Sequence, residues 1–150
     1  ELSPLDQYIG LITLLAKLSQ ERNIQLLAGA SYAYDLSDGT EDRLNKIQNY
    51  VKDHFREKIK LSDLSPIVGM TDQTFSRFFS RTMQKPFFEF LNEYRVNIAS
   101  RLLLETDKQV AEIGFHCGYE SLAFFYKQFK KFKGKSPLEF RKLYSDGLMK

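Results

Sequence analysis

Residues 61–79 read LSDLSPIVGMTDQTFSRFF, and the spacing of apolar, small and polar residues in this stretch decides the fold. Leu61, Leu64 and Val68 recur at helical intervals, which predicts a short helix with Ser62 as its N-cap. Gly69 is placed to end it, because glycine adopts the left-handed backbone of a tight turn without steric cost. Thr71 is placed to cap a second helix over residues 72 to about 82. Phe75, Phe78 and Phe79 fall on one side of that helix, while Asp72, Gln73, Ser76, Arg77, Ser80 and Arg81 fall on the other. Ser65, four residues before Gly69, is small, as close approach of two helices requires. The layout is a helix-turn-helix with an apolar back and a polar front.

The same pattern returns further on. Val110, Ile113, Gly118 and Tyr119 stand 49 positions after Leu61, Leu64, Gly69 and Met70. After one extra residue in the turn the displacement becomes 50, and Phe75, Arg77, Phe79, Arg81 and Lys85 meet Phe125, Lys127, Phe129, Lys131 and Lys135. Glu89, Phe90 and Tyr94 meet Glu139, Phe140 and Tyr144 in the same way. Apolar anchors that repeat while the positions between them differ indicate a duplicated unit. The second unit is expected as a helix over 109–117, a turn at Gly118, a helix from 122 to about 132 and a closing helix over 137–144, with Gly114 as its small residue. Its second helix exposes Leu122, Ala123, Tyr126, Lys127 and Lys130. A long helix over 87–105 joins the units, and its apolar side is read as Phe88, Leu91, Tyr94, Ile98 and Leu102 with Val96 and Leu103.

Ahead of the first unit, Leu44, Ile47, Tyr50, Val51 and Phe55 give residues 42–55 the pattern of an amphipathic opening helix. Residues 35–42, DLSDGTED, read as a linker. Residues 4–22 are expected to form a helix, with Ser3 as cap, Pro4 at its first position and an apolar stripe from Tyr8 to Leu18, followed by a short helix over 24–33. The expected architecture is therefore all-α: two helix-turn-helix subdomains joined by a long central helix within residues 41–150, preceded by a linker or dimerisation segment over 1–40.

The chain has 150 residues and a net charge of +3, distributed unevenly. Residues 1–40 hold two basic and five acidic side chains, and residues 108–150 hold nine basic and four acidic. The lone Cys117 has no partner within the chain, and no Cys/His cluster has zinc spacing, which fits a reducing compartment such as the cytoplasm and predicts no metal. The most apolar run, residues 9–18, is too short to cross a bilayer and contains Lys17. The start on Glu1 is read as that of a piece cut from something longer. His54, His116 and Cys117 are assigned no chemistry: no nucleophile, base and orienting group converge, so neither a catalytic site nor a cofactor is expected.

Residues 113–141, IGFHCGYESLAFFYKQFKKFKGKSPLEFR, carry a resemblance to a known family. With the first unit, they make residues 43–144 similar to the DNA-binding domain of the AraC/XylS family of bacterial transcription regulators. Gly114 stands where that family commonly has alanine, and Tyr119 where it commonly has phenylalanine. The resemblance implies a cytoplasmic regulator, most often an activator that helps recruit RNA polymerase, with a sensing domain for a small-molecule effector N-terminal to this region and a homodimer formed through residues 1–40.

A recognition helix enters the major groove by its N-terminal half. The expected base contacts are therefore Asp72, Gln73, Ser76 and Arg77 in the first unit and Leu122, Ala123, Tyr126 and Lys127 in the second, on double-stranded DNA. Ser62, Ser80, Arg81, Gln109, Lys130 and Lys131 are expected at phosphates, the first and fourth through helix starts. Lys133 and Lys135 read equally well as a solvated face. Two other function classes stay open: a helical protein-interaction module with a basic face, and the DNA-binding part of a repair-enzyme fusion.

Overall fold

The structure, a computed structural model, describes residues 38–148. The helices expected over 4–22 and 24–33, and the domain boundary placed near residue 40, concern residues outside or at the edge of that range. Seven α-helices and no strand occur among the described residues.

Helix α1, Asp38–His54, buries Ile47 and Val51 and leads into buried Phe55. It starts four residues earlier than the sequence reading placed it, so Asp38 to Asp42 belong to its first turns rather than to a linker. Helix α2, Leu61–Leu64, is followed by a 3-10 turn, Pro66–Val68. The N-cap of α2 is Lys60 and not Ser62: the Asp63 carboxylate accepts the Lys60 amide at 2.8 Å, which satisfies the chain entry from position N3 and leaves Ser62 inside the helix. Pro66 has no amide to continue an α-helix, so the last turn tightens before Gly69 reverses the chain at φ +68°.

Helix α3, Asp72–Met83, is capped by the Thr71 hydroxyl, which accepts the Thr74 amide at 3.3 Å. Helix α4, Phe87–Glu105, is the continuous rod between the units. Its buried side is Phe87, Leu91, Arg95, Val96, Ala99, Ser100 and Leu103. Phe88 is 47% exposed, which corrects its assignment to the apolar side: the ring packed between Phe75 and Phe79 is that of its neighbour Phe87. Helix α5, Val110–His116, α6, Leu122–Lys133, and α7, Pro137–Leu148, complete the second unit. Gln109 is the N-cap of α5, Ser121 caps α6 by accepting the Phe124 amide at 3.3 Å, and α7 runs four residues past the expected end.

Each unit has its own core, and α4 serves both. Phe87 and Leu91 join Val51, Leu64, Phe75 and Phe79 in the first, while Val96, Ala99 and Leu103 join Ile113, Phe125 and Phe129 in the second. The duplication holds in the packing. Phe79–Phe90 and Phe129–Phe140 both stack edge-on at 5.4 Å, and Phe75–Phe79 and Phe125–Phe129 both lie 5.8 Å apart. The turns repeat as well: Met70 N–H donates to Ser65 O, and Tyr119 N–H to Gly114 O. The extra residue of the second turn is Glu120, exposed between Tyr119 and the Ser121 cap.

The two turn glycines differ in surroundings. A Cβ on Gly69 would meet nothing within 4 Å, whereas one on Gly118, at φ +81°, would stand 2.6 Å from Phe55 O and 2.9 Å from Arg56 C and O. Gly69→Ala should therefore cost only the left-handed backbone penalty, about 1–2 kcal/mol. Gly118→Ala adds a clash with backbone and should cost about 2–5 kcal/mol. Urea unfolding of the two variants, read as midpoint shifts at constant slope, checks the difference.

Candidate nucleic-acid interface

With Phe75 and Phe79 fixed in the core, helical geometry of about 100° per residue places Asp72, Gln73, Ser76, Arg77, Ser80 and Arg81 on one arc of α3, turned away from the core. The arc on α6 is built from the same positions displaced by 50: Leu122, Ala123, Tyr126, Lys127, Lys130 and Lys131. Each helix start is set by a hydroxyl cap, Thr71 or Ser121, so the first turn of each arc is defined by the same local chemistry.

The two arcs differ in chemistry. On α3, Gln73, Ser76, Arg77 and Arg81 are exposed, and no hydrogen bond or ion pair of their side chains holds them among the described residues. Asp72 is exposed too, but its carboxylate accepts a short hydrogen bond from the buried Ser65 hydroxyl. That bond ties the start of α3 to the end of α2, so Asp72 is engaged before any ligand arrives. Ser80 is half-buried.

On α6, Leu122 leans back on α5, its Cδ2 3.3 Å from where a Cβ on Gly114 would stand, and Tyr126 is half-buried against Phe125. Ala123, Lys127 and Lys130 face outward. Lys131 is bonded to Glu89 at 2.8 Å and Lys133 to Asn97 at 2.8 Å, so both reach α4. Ser62 and Gln109 are exposed at the starts of α2 and α5. Gly114 is explained by the Phe125 ring, whose Cδ1 would lie 2.9 Å from a Cβ there.

Sequence reasoning passed over two features of this surface. Phe124, 45% exposed, lies beside Tyr119 at 6.1 Å and lines a cleft of about 370 Å³ between the units with Phe88, Asn92 and Lys58. The Lys131–Glu89 pair joins residues whose partnership no local spacing announces.

Residues 64–143, more than half of the chain, match the family described as "Helix-turn-helix domain", of the AraC/XylS type. The chain belongs to the AraC/XylS family. An HTH-type transcriptional regulator of Staphylococcus aureus is 31% identical over 134 residues, covering 85% of this chain and 18% of that protein. The chain thus spans less than a fifth of that relative's length. The DNA-binding domain of AdpA, solved in complex with a target DNA, is 26% identical with a TM-score of 0.62 over 68% of this chain and 91% of that one. An AraC-type regulator from Chromobacterium violaceum, 24% identical, shares the fold at a TM-score of 0.64 over 71% of this chain and 95% of its own.

As an AraC/XylS-family member, the chain carries the DNA-binding domain type of a transcription regulator, and its relatives are regulators rather than enzymes. Among the described residues no helix is long and apolar enough to cross a membrane. No group of three or more His, Cys, Asp or Glu side chains among them gathers around a metal position. Burial, and then the positive charge of Arg56, lowers the pKa of His116 and favours its neutral form. Burial pushes the Cys117 thiol up to about 11 from an ordinary value near 9. A thiol kept protonated is a poor nucleophile. The stability that comes from keeping it protonated is intact below pH about 9 and is lost as pH rises toward about 11. An aromatic disulfide reagent at pH 8 should accordingly leave the native chain unlabelled and modify Cys117 once urea unfolds it; fast native labelling would contradict this burial.

Proposed function

We propose that this chain is the sequence-specific DNA-binding part of a transcription activator, with α3 and α6 entering adjacent major grooves on one face of the duplex. The observation that carries the reading is the pair of outward arcs, matched position by position, at the two ends of one rigid helix. Helix α4 has 19 residues and so is about 28 Å long, comparable with the roughly 34 Å between successive major grooves. The AdpA domain, solved with DNA, supports the reading through its similarity over most of the described region.

Within it, the first unit does most of the sequence reading. Arg77 and Gln73 present hydrogen-bonding groups suited to guanine and adenine edges, and Ser76 and Asp72 flank them. The second unit gives apolar contacts from Leu122, Ala123 and the Tyr126 ring, suited to thymine methyls, with Lys127 at the edge. Ser80, Arg81 and Lys130, with the helix starts at Ser62 and Gln109, hold phosphates. Recruitment of RNA polymerase, dimerisation through residues 1–40, a small-molecule effector bound N-terminal to this domain and action in the cytoplasm follow from the family resemblance and belong to the same proposal.

Fluorescence anisotropy on a DNA library, selected and then titrated with salt, tests the reading. One sequence should be enriched, and the affinity should fall steeply with salt. Arg77→Ala should relax the preference at one base pair, a loss of about 1–3 kcal/mol of discrimination. Lys130→Ala should weaken all sequences alike and reduce the salt slope by about 0.9. An unenriched library with a flat salt response would sink the proposal.

A further inference from the structure

The two units touch at both ends of α6. Before its N-terminus, Gly118 sits against the carbonyl of Phe55, and the Tyr119 hydroxyl donates to Asn92 O at 3.3 Å. Near its C-terminus, Lys131 Nζ lies 2.8 Å from Glu89 Oε1, across 42 residues of chain. Glu89 lies in the half of α4 whose Phe87 and Leu91 belong to the first core, so this ion pair crosses between units. Lys133 instead reaches Asn97, next to Val96 of the second core, and its bond stays within the second unit. Glu89 stands one helical turn before Glu93, which pairs with Lys85, just ahead of α4, at 2.6 Å. The hydrogen bond from Lys131 holds the Glu89 carboxyl below the ordinary carboxylate range.

The geometry makes the first contact a pivot and the second a strut. Helix α6 has 12 residues and is about 18 Å long, so a swing of about 10° about the Gly118 end moves its far end by roughly 3 Å. That is close to the rise of one base pair, about 3.4 Å. Of the outward lysines, Lys130 lies in the half that would move, and Lys127 stands at mid-helix, where the same swing displaces it about half as far. With the strut in place Lys130 meets a phosphate at one position; without it the C-terminal half of α6 can follow a displaced half-site.

We propose that Glu89 is a positioning residue for the paired recognition helices: by holding Lys131 it fixes the direction of α6 relative to α3 and so sets the half-site spacing that the chain accepts. The proposal rests on the reading that both helices enter DNA, and it makes Lys131 a strut, not a phosphate contact as the sequence pattern implies. An exposed pair is weak by itself, because side-chain relative exposures of 52% and 38% leave it screened. Its leverage comes from its distance from the pivot.

Two measurements decide it. The first needs no DNA: nitroxide labels at Ser76→Cys and Lys127→Cys, with fully buried Cys117 spared, report the separation of α3 and α6. One narrow distance is expected, broadened by Glu89→Gln and narrowed again in the charge-exchanged double variant Glu89→Lys with Lys131→Glu. The second compares affinities for the selected site and for sites with one base pair inserted or removed between half-sites. Glu89→Gln should cut the discrimination by about fivefold, the exchanged pair should restore it, and Lys131→Ala should leave the salt slope unchanged where Lys130→Ala lowers it. An unaltered label distance with unaltered spacing preference, or a fall in salt slope for Lys131→Ala equal to that for Lys130→Ala, overturns the strut. Failure to find any preferred DNA sequence would count against the function proposed above, while the label distances would still judge the strut.

Discussion

The arrangement of the two units depends on a buried arginine. Arg95, in the middle of α4, is 9% exposed, and its guanidinium donates to Phe55 O at 2.8 Å and to Glu57 O at 2.7 Å. These carbonyls lie at and beyond the end of α1, where a helix has no intrahelical donors left for its last oxygens. Hydrogen bonds from a charged donor contribute about 1.5–3 kcal/mol each, and losing the donor would strand buried acceptors. Burial lowers the guanidinium's pKa, and the ring of Tyr119, 5.6 Å below it, supplies a face of opposite polarity. One side chain on the shared helix therefore fixes the end of α1 and receives the turn of the second unit. Arg141 of α7 does the first of these jobs one unit later, donating to Leu103 O at 2.9 Å in the last turn of α4 and to Lys108 O at 2.7 Å beyond its end. In each unit the closing helix carries the arginine that terminates the opening helix.

The duplicated scaffold leaves its outward residues free to diverge, because α3 and α6 are held in their cores by the buried phenylalanines at positions 75, 79, 125 and 129, on the opposite face. The first unit has a mixed arc of one acid, one amide, two hydroxyls and two arginines, and the second an apolar and lysine-rich one. Guanidinium and carboxamide groups discriminate between base edges, whereas lysines at phosphates contribute affinity with little sequence information. On the proposed reading, one discriminating and one gripping unit need the distance between them fixed, since grip at an undefined position adds nothing to the choice of site.

What was legible in the sequence follows from which forces are local. Phe75, Phe79, Phe125 and Phe129 recur with the period of the helix, and the glycine turns and the Thr71 cap are set by one or two neighbours, so spacing alone located them. Spacing falls short where a distant partner decides. Phe88 and Phe87 are equally apolar, and only the position of Phe75 and Phe79 across the core buries the second and exposes the first. Arg95 has no local signal in the sequence, because its two acceptors lie 38 and 40 residues away. The pairing of Lys131 with Glu89 is likewise out of reach of local spacing, since 42 residues separate them. Ser62 loses its capping role to Lys60 because the Asp63 carboxylate reaches the earlier amide.

The turn glycines show how a duplicated unit becomes asymmetric. Gly69 and Gly118 hold the same left-handed backbone at equivalent positions, and the local turn demands glycine at both. Around Gly69 the space is open, while Gly118 is pressed on the Phe55–Arg56 backbone that Arg95 holds in place. The second turn thus needs its missing side chain twice, for its own conformation and for seating on the first unit. The first turn carries no matching obligation. It follows that α6 is oriented by the first unit, and that changes in the loop after α1, far from either outward arc, reach α6 through Gly118.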